Sequence, residues 1–434
     1  MGDYEFGNLI YKSRKKLNLT QSELADLLGV TNKAVSKWEN GKAKPTIDIL
    51  RKLSALFNIS IEELLSIEEK NIENKIIKIV ITGGPCAGKT TALSKIEKTF
   101  TELGYSVLFV PEVATEMITN GIAPYKCKKN KYFQENLIKL QLAKEEIFES
   151  SGRILKNNKI LIVCDRGTMD SKAYIDNIEF MQIIKNIGKS EIELRDNYDA
   201  VFHLVTAANG AEEFYTLENN KARSETIEEA IELDNKVIEA WTGHPHFRVI
   251  DNSTNFDLKI EKLIKEIIHF LGEPEPLEIE RKFLIEYPDL KWLNNYKNCK
   301  KIDIIQTYLN SKNDDEIRIR QRGIDGNYIY SETTKKNISD IKRIEIERRL
   351  SKDEYLQLLM NADPNKRSIR KTRYCLLYKN QYFEIDIFPF CEDKAIAEIE
   401  LNDENQEIKL PKQLKIIKEV TNDKNYKNSS IANY

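Results

Sequence analysis

The stretch "IIKIVITGGPCAGKTT", residues 76–91, decides the fold of the middle of the chain. A continuous apolar run that ends in a glycine-rich turn predicts a buried strand of a parallel sheet, followed here by a helix. The turn fits the pattern G-x-x-x-x-G-K-[ST], in which backbone N–H groups approach phosphate, the lysine neutralises phosphate oxygens and the last hydroxyl binds Mg²⁺. The sequence therefore predicts a nucleotide-phosphate site whose binding residues are Gly83, Gly88, Lys89, Thr90 and Thr91.

Further apolar runs alternate with helical stretches as far as about residue 271, which predicts a parallel α/β sheet. One run is followed by Glu112 and another by Asp165 and Arg166, and open α/β sheets bind ligands at the carboxyl edge where these residues lie. We expect Asp165 to bind magnesium or water. Glu112 is either a magnesium ligand, a general base for an acceptor hydroxyl or a plain charge at a helix start.

A later stretch, "NNKARSE", is predicted to form a mobile lid. Its Lys221 and Arg223 would reach transferring phosphates, although Arg223 is also readable as a surface arginine. The layout of residues 76–270 resembles the NadR-like/AAA_28 group of P-loop proteins, which is related to nucleoside and nucleotide kinases. The strings "GAEEFYT" and "GHPH" are similar to TRPL-translocation-defect-like proteins, in which a CYTH domain follows. The resemblance implies ATP or GTP with Mg²⁺ as the cofactors.

The first segment reads as two short helices joined by a tight turn. Thr20 and Glu23 fit a capping box, Gly29 permits the turn, and Thr31 can cap a second helix. That second helix would present polar residues to a DNA major groove: Asn32, Lys33, Ser36 and Lys37.

Residues 8–65 resemble the Cro/C1-type (XRE) regulator family, a helix-turn-helix family. The resemblance implies that Gln21 and Lys37 contact duplex DNA. One such motif has a small footprint, so specific binding would require a homodimer. The alternative is a helical interaction module that has lost DNA binding.

The last segment alternates charged and apolar residues, beginning with "LEIERKFLI" at residues 277–285 and continuing through "EIRIRQRG", "RIEIERRL", "RKTRY", "FEIDIF" and "IAEIEL". Alternation with period two places the charges on one face of a sheet and the isoleucines on the other. We interpret the segment as a closed antiparallel β-tunnel filled with charged ligand-binding groups.

The succession resembles the CYTH, or triphosphate tunnel metalloenzyme, family over about residues 277–410. The resemblance implies phosphate binding by Lys282, Arg318, Arg320, Lys335, Lys371 and Arg373, with Lys336 as an alternative to Lys335. It implies Mg²⁺ or Mn²⁺ ligands, or groups that position the attacking water, at Glu278, Glu280, Glu345, Glu347, Asp386, Glu398 and Glu400. Glu278, Glu280 and Lys282 form the E-x-E-x-K motif and are the predicted catalytic set of the tunnel.

Composition sets the frame for these segments. The 434 residues carry 67 Lys and Arg against 69 Asp and Glu, so any DNA or phosphate site must be local. The six cysteines lack CxxC spacing, and no apolar run reaches the about eighteen residues of a membrane span, so we expect a soluble cytoplasmic protein. The predicted domains are residues 1–66, 76–271 and 277–412, followed by a tail at 413–434 whose polar stretch "TNDKNYKNSSIANY" is expected to be frayed.

Three functions follow from these segments. The first is a DNA-binding regulator whose nucleotide and triphosphate sites sense or process phosphorylated ligands. The second is a bifunctional small-molecule kinase and triphosphatase, with the helix-turn-helix used for autoregulation or dimerisation. The third is a P-loop switch that governs partner association.

Overall fold

The computed structural model describes residues 4–17, 19–40, 43–57, 59, 75–157, 159–215, 226–272, 279–311, 316–337, 343–401, 406–426 and 428–432. The chain divides into two compact units, Met1–Lys75 and Ile76–Tyr434. None of the described helices combines the length and the hydropathy needed to cross a bilayer.

The first unit is a small helical head formed by α1 (Tyr4–Lys16), α2 (Gln21–Leu28), α3 (Asn32–Glu39) and α4 (Ile47–Phe57). The predicted capping box is present, because the Thr20 side chain accepts from the Glu23 N–H and the Glu23 carboxylate accepts from the Thr20 N–H. Gly29 ends α2 in the left-handed region at φ 72°, and the Thr31 hydroxyl caps α3. The buried core consists of Ile10, Leu24, Ala25, Leu28, Val35, Trp38 and Leu53.

The second unit begins with a five-stranded parallel sheet in the order β2-β3-β1-β4-β5. Its strands are β1 (Lys75–Gly83), β2 (Ser106–Val110), β3 (Lys159–Asp165), β4 (Ala200–Leu204) and β5 (Phe247–Ile250). Its helices are α5 (Lys89–Glu102), α6 (Val113–Thr119), α7 (Asn130–Arg153), α8 (Asn177–Asn186), α9 (Glu191–Arg195), α10 (Ile227–Trp241) and α11 (Phe256–Leu271). Short 3-10 turns cover Pro124–Lys126, Thr168–Tyr174 and Glu212–Phe214. The predicted α/β sheet, here called the α/β region, is confirmed.

A nine-stranded antiparallel sheet follows in the order β10-β9-β8-β7-β11-β12-β13-β6-β14. Its strands are β6 (Ile279–Glu286), β7 (Cys299–Tyr308), β8 (Glu316–Ile324), β9 (Asn327–Asn337), β10 (Arg343–Leu350), β11 (Ile369–Tyr378), β12 (Gln381–Ile387), β13 (Lys394–Leu401) and β14 (Ile416–Glu419). Its helices are α12 (Leu290–Asn295), α13 (Lys352–Leu359) and α14 (Asn428–Ile431). The sequence predicted a closed tunnel; among the described strands the order ends at β10 and β14.

Strand register confirms the predicted separation of charged and apolar rows. Across β6, β13, β12 and β11 the pairs are Glu280↔Glu400, Lys282↔Glu398, Glu398↔Glu384 and Asp386↔Arg373. Residues directly opposite in an antiparallel pair share a face, so these charges line one surface, here called the charged face. The other surface is apolar, and Ile385 and Ile399 are buried there in one cluster.

The described residues of the predicted tail include regular structure. β14 pairs with β6, and Ala432 is buried in a cluster with Tyr308 and Ile396. The backbone N–H of Arg367 donates to the Ala432 carbonyl at 2.8 Å. Polar composition suggested a tail because a short edge strand and a single buried alanine leave little periodic signal.

The α/β region and the nine-stranded sheet share one hydrophobic cluster. Trp241, Phe247 and Val249 of the α/β region pack in it with residues of β7, β11 and β12, namely Ile302, Ile304, Cys375, Leu377 and Tyr382. The Tyr382 hydroxyl also donates to the His244 carbonyl at 2.8 Å. One end of the charged face of the sheet therefore packs against the α/β region.

Candidate functional site

The turn between β1 and α5, here called the phosphate loop, needs glycine at close backbone contacts. A Cβ on Gly83 would lie 2.2 Å from the Leu204 carbonyl oxygen, and one on Gly88 would lie 2.5 Å from the Phe256 ring. Gly88 precedes α5 in the left-handed region at φ 90° and leaves the first N–H groups of α5 uncovered by a side-chain cap. Unoccupied N–H groups at a helix start form an anion-binding site.

Lys89 lies over the phosphate loop instead of extending into solvent. Its ammonium donates to the carbonyls of Gly83 and Gly84 at 3.2 and 3.3 Å. Burial, followed by the charge of Arg166, lowers the pKa of Lys89 to about 8. A bound phosphate would supply an anionic partner for this ammonium, whose hydrogen bonds otherwise go to neutral carbonyl oxygens. Thr90, the next residue, is exposed at the start of α5.

Asp165, Arg166 and Glu112 meet at the carboxyl edge, as the sequence predicted. Arg166 donates to the Glu112 carboxylate and to the Gly83 carbonyl. Although burial would raise it, Arg166 and Lys89 lower the pKa of Glu112 to about 2. A carboxylate of that acidity is a weak proton acceptor, so the geometry favours binding or positioning over general-base chemistry at Glu112.

Asp165 has the character of a metal or water ligand. Its buried Oδ1 finds no hydrogen-bond partner within the described part of the chain, and burial raises its pKa. A buried unsatisfied carboxylate oxygen beside the phosphate loop fits Mg²⁺, which prefers oxygen ligands. Thr90 and Asp165 are thus the two groups that could hold that ion, supplying charge neutralisation for a bound nucleotide.

Three buried residues that support this edge escaped sequence reasoning. Asp170 accepts from Thr82 at 2.7 Å and from the Trp241 indole at 2.7 Å. Asp234 accepts from the Gly84 N–H at 2.7 Å, and Lys259 donates to the Ala87 carbonyl at 3.2 Å. Each lies far from the phosphate loop in sequence. A single charged residue within a helical pattern does not indicate which distant group it will bind.

Some predicted site residues lie outside the described part of the structure. Lys221 and Arg223 of the expected lid are among these undescribed residues, and so is Glu278 of the E-x-E-x-K motif. Lys335 and Glu345 have described backbones only: they pair across β9 and β10, and Lys335 also pairs with Glu316 of β8. Their roles remain as the sequence predicted them.

On the charged face, acids and bases are joined into one network. Lys282 donates to Glu398 at 2.6 Å, and Arg373 donates to Asp386 at 2.6 Å and to Glu398 at 3.1 Å. Arg373 also contacts Glu384, and Lys371 contacts Asp386. Although burial opposes it, the charges of Arg373 and Lys371 lower the pKa of Asp386. The cluster is therefore neutralised internally.

Two residues of the charged face are less well satisfied. Arg320 has a buried Nε without a hydrogen-bond partner within the described ranges, and burial followed by the charge of Arg318 lowers its pKa. Glu280 keeps 42% of its side chain exposed and lies 3.2 Å from Lys282. Partial desolvation, followed by the charge of Glu398, raises the pKa of Glu280 to about 7. These two groups would gain most from a phosphate and a cation.

The remaining predicted acids are spread along the face. Glu347 of β10 accepts from the Thr333 hydroxyl at 3.3 Å, and Glu400 of β13 is bound by Arg248 of the α/β region. In the described ranges no three His, Cys, Asp or Glu side chains converge on one point as a ready metal site. Since Lys and Arg occupy the carboxylates, Mg²⁺ or Mn²⁺ would have to displace them.

In the helical head, the predicted DNA-facing row is on the surface. Asn32, Lys33 and Lys37 are exposed on α3, and Ser36 is half-buried between them. Gln21 is half-buried at the start of α2 and donates its amide to Glu39 at 2.6 Å. Glu39 also binds Arg14, at 2.5 Å, so it ties α1, α2 and α3 together behind the row.

Comparison with known proteins shows a helix-turn-helix head and an AAA domain, the architecture that the sequence suggested. The helix-turn-helix family matches residues 10–64 and the AAA domain family matches residues 78–259. An uncharacterised HTH-type transcriptional regulator of Archaeoglobus fulgidus is 33% identical over 66 residues, which are 15% of this chain and 93% of that protein. Through this head the chain belongs to the family of HTH-type transcriptional regulators.

Other relatives and solved structures each match one part of this chain. The HTH-type transcriptional activator BcrR of Enterococcus faecalis is 45% identical over 65 residues, and this chain spans 32% of it. The inorganic triphosphatase NE1496 is 28% identical, with 36% of this chain and 95% of that one covered at a TM-score of 0.27. The P22 c2 repressor bound to a synthetic operator is 36% identical over 14% of this chain and 89% of its own, at a TM-score of 0.13.

Proposed function

We propose that this protein is a DNA-binding regulator that carries two phosphate sites. The helical head binds duplex DNA as a homodimer, the phosphate loop binds ATP or GTP with Mg²⁺, and the charged face binds a triphosphate compound with Mg²⁺ or Mn²⁺ and hydrolyses it. The observation that carries the triphosphate assignment is the register of β6, β13, β12 and β11, which gathers acids and bases on one face.

The chemistry follows from the side chains on that face. A triphosphate offers several anionic oxygens in a row, and arginine and lysine bind such oxygens through charge-assisted hydrogen bonds. A divalent cation held by Glu280 and Glu398 would neutralise the phosphate under attack. Water would attack the terminal phosphorus, the bridging P–O bond would break with the diphosphate portion as the leaving group, and phosphate and a proton would be released.

A screen of inorganic triphosphate, thiamine triphosphate and nucleoside triphosphates with either metal tests the proposal. The Lys89→Ala variant should be used throughout, because it removes the phosphate loop as a source of turnover. Glu280→Gln should abolish phosphate release while binding persists, and Arg320→Ala should weaken binding first. Arg281→Ala is the matched control, since Arg281 lies one residue from Glu280 and pairs with Glu419 on the other face.

The outcomes separate three cases. Release of phosphate that Glu280→Gln abolishes supports a triphosphatase. Tight binding without release makes the charged face a sensor. If none of the compounds binds, the charged face has a different ligand and the triphosphate assignment falls.

A second function is supported by the edge beside the phosphate loop. Glu112, Arg166 and Asp165 gather around Lys89, an arrangement that suits transfer of a phosphoryl group to an acceptor. The protein would then be chiefly a small-molecule kinase and triphosphatase, with the head used for autoregulation or dimerisation. Nucleotide consumption that rises with an added nucleoside or other hydroxyl acceptor would favour this reading over a regulator or a P-loop switch.

A further inference from the structure

One arginine of the α/β region contacts the charged face of the nine-stranded sheet. Arg248 lies on β5, and its Nη2 donates to the Glu400 carboxylate of β13 at 2.5 Å. Glu400 pairs in register with Glu280 and lies two residues from Glu398, so all three carboxylates share the charged face. Nothing in the periodicity of the sheet predicts this partner, which lies 152 residues earlier in the chain.

A histidine and a further glutamate flank this pair. His269 Nε2 is 3.7 Å from the other Glu400 oxygen, and Glu266 is 3.9 Å from the Arg248 Nε. The remaining Arg248 amino group donates to the carbonyl of Phe247 at 3.2 Å. Arg248 keeps 14% of its side chain exposed and Glu400 keeps 34%, so neither side chain is fully enclosed.

The pair repeats the pattern of the whole face. Lys282 neutralises Glu398, Arg373 neutralises Asp386, and Arg248 neutralises Glu400. A ligand made of a metal ion and a phosphate chain can exchange partners with such a pair, because the metal prefers the carboxylate and the phosphate prefers the guanidinium.

We propose that Arg248 is a binding residue of the charged face that the α/β region supplies. It holds Glu400 while the face is empty, and it turns to a phosphate of the ligand when a divalent cation takes Glu400. This inference rests on the proposed function of the charged face. It adds a residue outside the sheet to the site and makes metal and phosphate binding there mutually supportive.

Titration calorimetry on the full chain carrying Lys89→Ala tests it, with Mn²⁺ alone, tripolyphosphate alone and each in the presence of the other. In this background each ligand should strengthen the other at least severalfold. Arg248→Met should bind Mn²⁺ alone about threefold or more tightly, because Glu400 is released, and tripolyphosphate alone about tenfold more weakly. It should also lose most of the mutual strengthening.

Two further variants make the test specific. Glu400→Gln leaves Arg248 in place without its partner, so Mn²⁺ should bind more weakly and tripolyphosphate more tightly, the reverse of Arg248→Met. Arg281→Met removes the same charge from a residue paired with Glu419, and any effect it shares with Arg248→Met is a general charge effect. If Arg248→Met fails to fold, Glu400→Gln and Arg248→Lys carry the comparison.

The inference and the proposed function fail differently. If the background protein binds neither Mn²⁺ nor tripolyphosphate, the proposed function of the charged face is wrong. If it binds both and Arg248→Met behaves as Arg281→Met does, Arg248 is a structural contact and the inference is overturned. Glu400→Gln without tighter tripolyphosphate binding overturns it equally.

Discussion

Cys86 in the phosphate loop and Arg166 after β3 both adopt positive φ, at 55° and 69°. Residues other than glycine pay about 1–3 kcal/mol for such a backbone, and they keep it where the surrounding structure fixes it. Arg166 is fixed by its contacts with Glu112 and the Gly83 carbonyl, and its backbone N–H donates to Ile81 at 3.0 Å. The strain therefore lies on both sides of the site proposed for a nucleotide phosphate.

Lys89→Ala should remove nucleotide binding and leave the fold intact. In the empty protein the change removes the contacts with the Gly83 and Gly84 carbonyls and the attraction to Glu112 and Asp165, whereas a bound phosphate loses its main counter-charge. Nucleotide titration and circular dichroism measure the two effects. Lys98→Ala, on the exposed side of the same helix, is the control and should bind as wild type does. Equal affinity of the Lys89 variant would place the nucleotide elsewhere.

Nucleotide affinity should also depend on pH. The pKa of Lys89 is lowered to about 8 from 10.5, so the ammonium is charged below that pH and loses its proton above it. Because phosphate binds the charged form, affinity should be constant below about pH 7 and fall by up to tenfold per pH unit well above pH 8. Lys89→Arg, which stays charged, should flatten the profile. A profile that falls equally in both proteins would assign the pH dependence to another group.

At the scale of elements, local signals predicted both ends of α2 and the start of α3. The caps at Thr20 and Thr31 and the left-handed Gly29 are set by neighbours within three or four positions, so sequence alone identifies them. The same reasoning predicted the charged rows, because strand parity is local too. Trp38 in the head core and the Glu39 contacts were missed, since both depend on helices that meet only after folding.

Glu39→Gln should destabilise the helical head by roughly 2–3 kcal/mol. Arg14 and Glu39 each keep only 5% of their side chains exposed, and removal of one charge leaves the other buried without compensation. Urea unfolding followed through Trp38 fluorescence measures the loss. Asp48→Asn breaks the exposed pair with Arg51 and is the control, with no measurable change expected. A matching loss in the control would mean that the head responds to charge in general.

The surface of α3 should set DNA affinity. Lys33→Ala and Lys37→Ala each remove an exposed cation from the predicted recognition row, so each should weaken binding and reduce the salt slope by about one if that lysine contacts a phosphate. Gel shifts at several salt concentrations, after selection of a preferred site, measure both quantities. Lys12→Ala on α1 removes the same charge from the head and is the control. Unchanged slopes in both α3 variants would exclude this face as the DNA contact.

At the scale of the whole molecule, the sequence predicted each segment but not the contacts between the α/β region and the nine-stranded sheet. The alternation in β13 assigns Glu398 and Glu400 equal roles. In the structure, however, Glu398 forms ion pairs with Lys282 and Arg373, whereas Glu400 forms one with Arg248. Strand parity cannot distinguish these two glutamates, because it contains no information about residues outside the sheet. The sequence around the domain boundary predicted near Pro276 likewise did not indicate that a buried hydrophobic cluster joins the regions on either side.

That shared cluster should make the unit of residues 76–434 unfold as one. Tyr382→Ala removes a ring that packs 6.2 Å from Phe247 and a hydroxyl bonded to His244, so it should cost about 3–5 kcal/mol and broaden or split the calorimetric transition. Tyr378→Ala is the matched control, because Tyr378 packs on Tyr296 in the apolar cluster of the sheet itself. It should lower the transition temperature without splitting the peak. Two resolved transitions in the wild type would show that the α/β region and the sheet fold independently, and the Arg248 contact would then join two separable bodies.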